Sequence, residues 1–530
     1  MIYIYINIGN VMSSKIAKGS IIILIGAFLF RIGGYIYKVT MANLLGPSGY
    51  GILSLTWPLQ NFLIMIAGAG LPPAIAKHVS EYYAKDDIEM VKAVVDISTR
   101  MMIALGLIFS VVIFILAKPI ALGLFHKPEA IIPFQLIALI TPFSVIVGAL
   151  RGTFQGFYQM KNILITRAFE LFFMVTIAVG LVVGGYYVAG AVIGTAVGFM
   201  AAMVSAVYLF QRDVRGKLSR PRKLLSRSHQ KLTFYDEMKI AKMLIFFSVP
   251  VVITGLAELA LYDMGTLVIG VYMPSNFAGY FNVSSTVARF PLIISMAVAT
   301  SVLPATAEAM SLKDHDLLKT YVLQSYRYVS FVVIPLCVGT IVFATPIITL
   351  LFGKAYIPGS VSLQILAAGM LFFTLYTISS SIAQGLGKPR LPMYVLIVGT
   401  VIDIGLSIIL VPMIGINGAA IATTVASLFL MSVLMWKTLN LARVSLPIGE
   451  FGKIIIASIL MGLVFLPFPQ TRAYLILALI ISPFLYLGIL TAIGGLKLED
   501  LRMLYKIGSK LGPFSGIFMK FIRLLERFAV

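Results

Sequence analysis

From residue 17 to residue 495 the chain reads as apolar runs separated by short polar breaks. Runs such as GSIIILIGAFLF from Gly19, MMIALGLIFSVVIFILA from Met101 and TVIDIGLSIILVPMIG from Thr400 recur to the end of the chain. At ~1.5 Å rise per residue they are long enough to cross a ~30 Å hydrocarbon core. Segmenting at the breaks predicts membrane helices near 17-43, 52-76, 94-117, 131-152, 161-184, 186-210, 243-272, 277-305, 322-350, 359-384, 391-412, 417-437, 452-469 and 473-495. The fold class expected is all-α integral membrane, with about fourteen spans.

Basic residues orient these spans. Of the 41 Lys and Arg, all but Arg31, Lys38, Lys118, Lys127, Arg289, Lys354 and Arg472 fall nearest an even-numbered connection or a terminus. Loops rich in Lys and Arg stay in the cytoplasm, so both termini are expected to be cytoplasmic and the chain multi-pass in the cell membrane. The first apolar run lacks a small-residue cleavage site and reads as a retained helix, with Met12 an alternative start that would leave residues 1 to 11 outside the fold. The tail 496-530 alternates basic and apolar residues and reads as an interfacial amphipathic segment attracted to anionic lipid, or as a solvated tail packing on the inner loops.

Composition agrees: 60% of residues are hydrophobic, 12% charged, and mean hydropathy is +1.00. Soluble domains usually carry about 25% charged residues. The net charge of +21 lies between apolar spans, which argues against a nucleic-acid partner. A single cysteine, Cys337, excludes an intramolecular disulfide, and His78, His126, His229 and His315 show no ligand spacing, so neither metal nor other cofactor is expected. No G-x-x-x-x-G-K-[ST] phosphate loop is present, so transport energy is expected from an ion gradient, the membrane potential or consumption of product.

An internal duplication organises the spans. Gly49-Tyr50 answers Gly279-Tyr280, Leu71-Pro72 answers Leu303-Pro304, LFHK at Leu124 answers LFGK at Leu351, FQG at Phe154 answers AQG at Ala383, and GAVIGTAV at Gly190 answers GAAIATTV at Gly418. The order is kept and the offsets run only from 227 to 232 residues. Two homologous six-helix lobes follow, 17-210 and 243-437, around a central cleft. A cytoplasmic N-terminus (1-16), a basic linker (211-242), extra helices 13 and 14 (438-495) and the tail (496-530) complete the chain. Repeats with an even number of spans are parallel, and rocking them is a transporter's way of exposing a cleft to alternate sides.

The segments RIGGYIYKVTMANLLGPSGYGILSL, GLPPAIAKHVSEYYAKDD, FQGFYQMKN and AQGLGKPR resemble the polysaccharide flippase branch of the multidrug, oligosaccharidyl-lipid and polysaccharide exporter superfamily. Length and the two extra helices look most like the stage V sporulation protein B and lipid II flippase type. The resemblance implies translocation of a polyprenyl-phosphate-linked saccharide, a cell-envelope precursor, from inner to outer leaflet; membrane lipids are expected partners, envelope-synthesis enzymes are candidate ones, and with no connection long enough for a catalytic domain no enzymatic activity is expected. It also implies basic residues in the first and eighth helices lining the cavity.

Ionisable groups at membrane depth are costly and mark sites by default. Arg31, Arg289, Glu258, Asp403 and Glu170 fall deep in their spans, and Lys38 shares a helix face with Arg31 two turns away. Arg31, Arg289 and Lys38 are the expected ligands of cargo phosphates, because guanidinium keeps its charge when desolvated and matches phosphate oxygens. Alternatively, Arg31 pairs with Glu258 and Lys38 snorkels. Glu258, Asp263, Asp403 and Glu170 are the candidates for coupling Na+ or H+. The rivals are a cation-coupled drug exporter of the same superfamily, a membrane-embedded envelope-synthesis enzyme, for which no connection holds a paired-carboxylate or DxD-like site, and a scaffold for envelope synthesis.

Overall fold

The computed structural model describes residues 2–218 and 233–497, together with Asp500, Leu501, Tyr505, Gly516, Ile522, Leu525 and Glu526, with side chains from Phe30 onward. The linker stretch 219–232 and most of the expected amphipathic tail lie outside the described residues. Described secondary structure is helical throughout, and it forms two compact units, Met1–Gly279 and Tyr280–Val530.

The first unit holds α1 (Ile2–Ala67), α2 (Leu71–Ala84), α3 (Ile88–Pro119), α4 (Ile131–Gly156), α5 (Met160–Leu181), α6 (Tyr187–Asp213), α7 (Arg215–Leu218) and α8 (Phe234–Tyr272). Helix α1 begins at Ile2, so residues expected to precede the fold are helical. Its 66 residues are two helices joined at Gly46, whose φ of 65° is a left-handed value that glycine adopts without a Cβ clash. The chain reverses there. The Tyr37 and Trp57 rings lie 6.3 Å apart, although twenty residues of straight helix would separate them by about 30 Å. Helices α5 and α6 reverse likewise around Gly185 (φ 90°) and pack so closely that a Cβ on Gly198 would sit 2.8 Å from the Glu170 carbonyl oxygen.

Caps fix where the polar breaks become helix starts. Asp87 accepts a hydrogen bond from the Met90 N–H at 3.0 Å to open α3. Thr233 and Asp236 form a reciprocal capping box, so α8 starts inside the stretch expected as linker. Its far end is held by buried Lys127, whose ammonium donates to the carbonyls of Phe125 (3.1 Å), Gly270 (2.5 Å) and Met273 (2.9 Å). A cation there satisfies last-turn carbonyls and opposes the negative end of the helix dipole. Leu71, Val91, Phe154, Leu209 and Leu244 belong to one buried cluster that binds α8 to α2, α3, α4 and α6.

Helix α9 (Ser275–Ala288) leads into the second unit, which holds α10 (Pro291–Leu312), α11 (His315–Val342), α12 (Ala344–Leu351), α13 (Ser360–Gly385), α14 (Arg390–Ile414), α15 (Ile416–Ala442), α16 (Ile448–Phe465) and α17 (Arg472–Ala492). The expected spans 277-305 and 322-350 are each interrupted, before Pro291 and at Phe343. Helices α11, α16 and α17 pack through Phe331, Ile334, Ile454, Met461, Leu487 and Leu490. Buried Arg327 clamps them: its guanidinium donates to Asp500 (3.1 and 2.5 Å), Glu450 (2.9 Å) and the Gly495 carbonyl (2.9 Å).

Twelve segments among the described residues are long and apolar enough to cross a membrane, against fourteen expected spans. The difference lies in Phe30–Ala84 and Met160–Asp213, of 55 and 54 residues, each of which contains one of the reversals.

Candidate functional site

The deep ionisable residues form separate settings within each unit. In the first, Arg31 stands on α1 fifteen residues before Gly46, and Glu258 on α8 fourteen residues before Tyr272. Both therefore lie roughly 20–23 Å from those helix ends. Both side chains are exposed, and Arg31 is the charge that acts on the Glu258 carboxylate. Lys38, half-buried on the same helix as Arg31, places Nζ 5.1 Å from the centre of the Trp57 ring. That cation–π contact gives Lys38 a protein partner across the α1 reversal. Asp263 follows on α8, half-buried.

Glu170 belongs to another group. Arg151 on α4 donates to its Oε2 at 2.6 Å and to Thr166 Oγ1 at 3.0 Å, with Arg151 and Glu170 side chains only 15% and 22% exposed. Arg167, one turn before Glu170 on α5, adds a third charge. Counting charges toward the nearest connection hides Arg151 and Arg167, since both stand close to the α4–α5 turn in sequence. The i, i+3 spacing from Arg167 to Glu170 was the available signal.

In the second unit, Arg289 sits half-buried at the break between α9 and α10, where its carbonyl accepts from the Leu292 N–H at 3.1 Å. Asp403 on α14 is fully buried, and neither carboxylate oxygen has a hydrogen-bond partner among the described residues. Ser407, one turn on, and Ser427 on α15 are buried hydroxyls with no hydrogen-bond partner among the described residues, and Thr423 of α15 faces the carboxylate. A lone carboxylate so far from water is tolerated when a proton or a cation neutralises it. No group of three His, Cys, Asp or Glu fit to hold a metal ion occurs among the described residues.

All-helical units whose apolar segments carry arginines and carboxylates at depth define a multi-pass membrane protein of the transporter class. The chain belongs to the polysaccharide biosynthesis protein family, whose model matches residues 16–310, and the MatE model matches residues 250–409, which places it in the exporter superfamily named above. It is similar to the uncharacterized membrane protein MJ1375 of Methanocaldococcus jannaschii, with 27% identity over 78% of this chain and 95% of that one. It is also similar to the lipid II flippase MurJ of Bacillus subtilis, with 22% identity over 78% of this chain and 80% of that one. A solved structure, lipid II flippase MurJ in an inward closed conformation, superposes with a TM-score of 0.71 at 18% identity, over 88% of this chain and 98% of that one. This last likeness speaks for the fold. The relative and the solved structure that carry a functional name are flippases rather than enzymes.

Proposed function

We propose that the chain is a flippase that carries a polyprenyl-phosphate-linked saccharide from the inner to the outer leaflet of the cell membrane. The six-helix repeats 17-210 and 243-437 serve as its alternating lobes, and both termini are cytoplasmic. The observation that carries this reading is Arg31, an exposed guanidinium on α1 roughly 22 Å before the Gly46 reversal. A permanent cation at that depth is matched by a multivalent anion that can be bound and released, and a lipid diphosphate is one. Arg289, at the α9–α10 break, is the proposed cargo ligand of the second repeat, and Lys38, held at Trp57, is the next cation along α1. The relatives named as lipid-linked sugar flippases support the cargo class.

Asp403, with Glu258 and Asp263, is the proposed place for coupling Na+ or H+. The burial of Asp403 and the MatE match over residues 250–409 also favour a second reading, a cation-coupled drug exporter. Reconstitution in liposomes separates the two. Leaflet exchange of a labelled polyprenyl-diphosphate sugar, lost in both Arg31→Ala and Arg289→Ala, is the result expected of the flippase. Exchange of organic cations without any lipid-linked sugar would favour the exporter.

A further inference from the structure

Arg167 and Arg151 lie near one another inside the first unit, with Glu170 between their charges. The two faces of α5 differ. Phe169 and Phe172 are 45% and 65% exposed and mark its lipid side. Opposite them, Leu171 lies where a Cβ on Gly33 of α1 would meet it, Met174 lies against Gly198 of α6, and Ala178 against Gly194. At about 100° per residue, Arg167 is roughly 140–160° from both phenylalanines and within about 40° of Leu171, Met174 and Ala178. It therefore stands on the face that α1 and α6 pack against, nearer the Met160 end of α5 than the contacts at Leu171, Met174 and Ala178, yet its side chain is exposed.

The charge on this face is unbalanced. Glu170 is committed to Arg151 at 2.6 Å, and Thr166 accepts from the same guanidinium at 3.0 Å. Arg167 feels the charges of Arg151 and Glu170 but makes no hydrogen bond or ion pair with the described residues. Two guanidiniums and one carboxylate leave one positive charge, held inside a membrane-spanning segment where an uncompensated charge is expensive. A phosphate-class oxyanion resolves this: it accepts from the fork of Arg167 and from the donors of Arg151 that Glu170 and Thr166 leave free.

We propose that Arg167, with Arg151, binds a phosphate-class oxyanion of the cargo headgroup, and that Glu170 positions Arg151 rather than carrying a coupling ion. This rests on the flippase reading, and it adds a contact on α5 to those proposed on α1 and at the α9–α10 break.

The test measures binding of a short-chain prenyl diphosphate, and of inorganic pyrophosphate, to the purified full chain, for the parent, Arg167→Gln, Arg167→Lys and Arg31→Gln, with thermal melting beside each. Arg167→Gln is expected to weaken prenyl diphosphate binding by about tenfold or more, and Arg167→Lys by less, because the charge stays while the planar fork is lost. Arg167-dependent binding of pyrophosphate as well would show that free phosphate suffices; dependence for the prenyl form alone would tie the subsite to a lipid headgroup. Should Arg167→Gln melt early, Arg167→Lys carries the comparison. Unchanged binding and unchanged flipping in Arg167→Gln, with losses in Arg31→Gln, would overturn this subsite and leave the flippase reading standing. A parent that binds neither probe and flips no lipid-linked sugar would remove both.

Discussion

At Asp403 the cost of burial falls on one side chain. The carboxylate is sealed between α14 and α15 and has no hydrogen-bond donor of normal geometry among the described residues. Fixing a negative charge there costs several kcal/mol, so neutralising it is not expected to weaken the fold. Asp403→Asn is therefore predicted to melt no earlier than the parent in the same detergent, while the dependence of flipping on a Na+ or pH gradient disappears. Early melting, with the ion dependence intact, would make Asp403 a structural hydrogen-bonding group. The residue was legible in the sequence as a charge deep in an apolar run, because depth follows from distance to a helix end. The partners of Glu170 were not legible: Arg151 is nineteen residues away across a helix turn, and no periodicity links positions on two helices.

Helix ends carry the next layer. Lys127 turns the last turn of α8 from a set of orphan carbonyls into a bonded cap, and in sequence it looked like one of a few lysines outside the basic loops. Lys127→Met keeps the aliphatic stem but strips three carbonyls of their donor. It is predicted to cost about 2–4 kcal/mol and to speed hydrogen exchange through Gly265 to Tyr272 first. The Arg327 clamp works on α16 and α17 in the same way, joining residues 173 positions apart, a distance at which sequence pattern says nothing. Arg327→Met alone would leave fully buried Asp500 uncompensated, for a loss of about 3–5 kcal/mol. The double variant Arg327→Met with Asp500→Leu is predicted to recover most of that loss in a thermal-melt cycle. A double variant no better than the single would mean that Asp500 is solvated when Arg327 is gone.

For the molecule as a whole, sequence and packing divide the chain at different places, and the reason is physical. The duplication sets the second repeat at about residue 240, because similarity between segments records which helices correspond. Contacts set the boundary at Gly279, because α8 is tied to the first unit by Lys127 at one end and by Arg100–Glu237 (3.5 Å) and Lys77 over Phe247 (4.6 Å) nearer the other. The helix order and the two extra helices were readable from apolar runs alone, whereas the allegiance of α8 depended on side chains that meet only in three dimensions.

The distribution of Lys and Arg makes a sharper claim about the whole molecule, because it assigns every connection to a side. The α2–α3 and α13–α14 turns, at Lys85 and Lys388, should face the cytoplasm, and the connections at Glu129 and Gln470 should face outward. All four positions are exposed, and the single native thiol, Cys337, is buried, so a Cys337→Ser background carrying one new cysteine at a time reports each side cleanly. A membrane-impermeant maleimide applied to intact cells is predicted to label Glu129→Cys and Gln470→Cys, and to reach Lys85→Cys and Lys388→Cys only after permeabilisation. The reverse pattern would invert the topology, turn Arg31 to the same depth from the opposite leaflet, and require the cargo to enter from outside. Labelling of Lys85→Cys and Lys388→Cys from opposite sides would break the parallel repeat, since the eight expected spans between them, an even number, bring both turns back to one side.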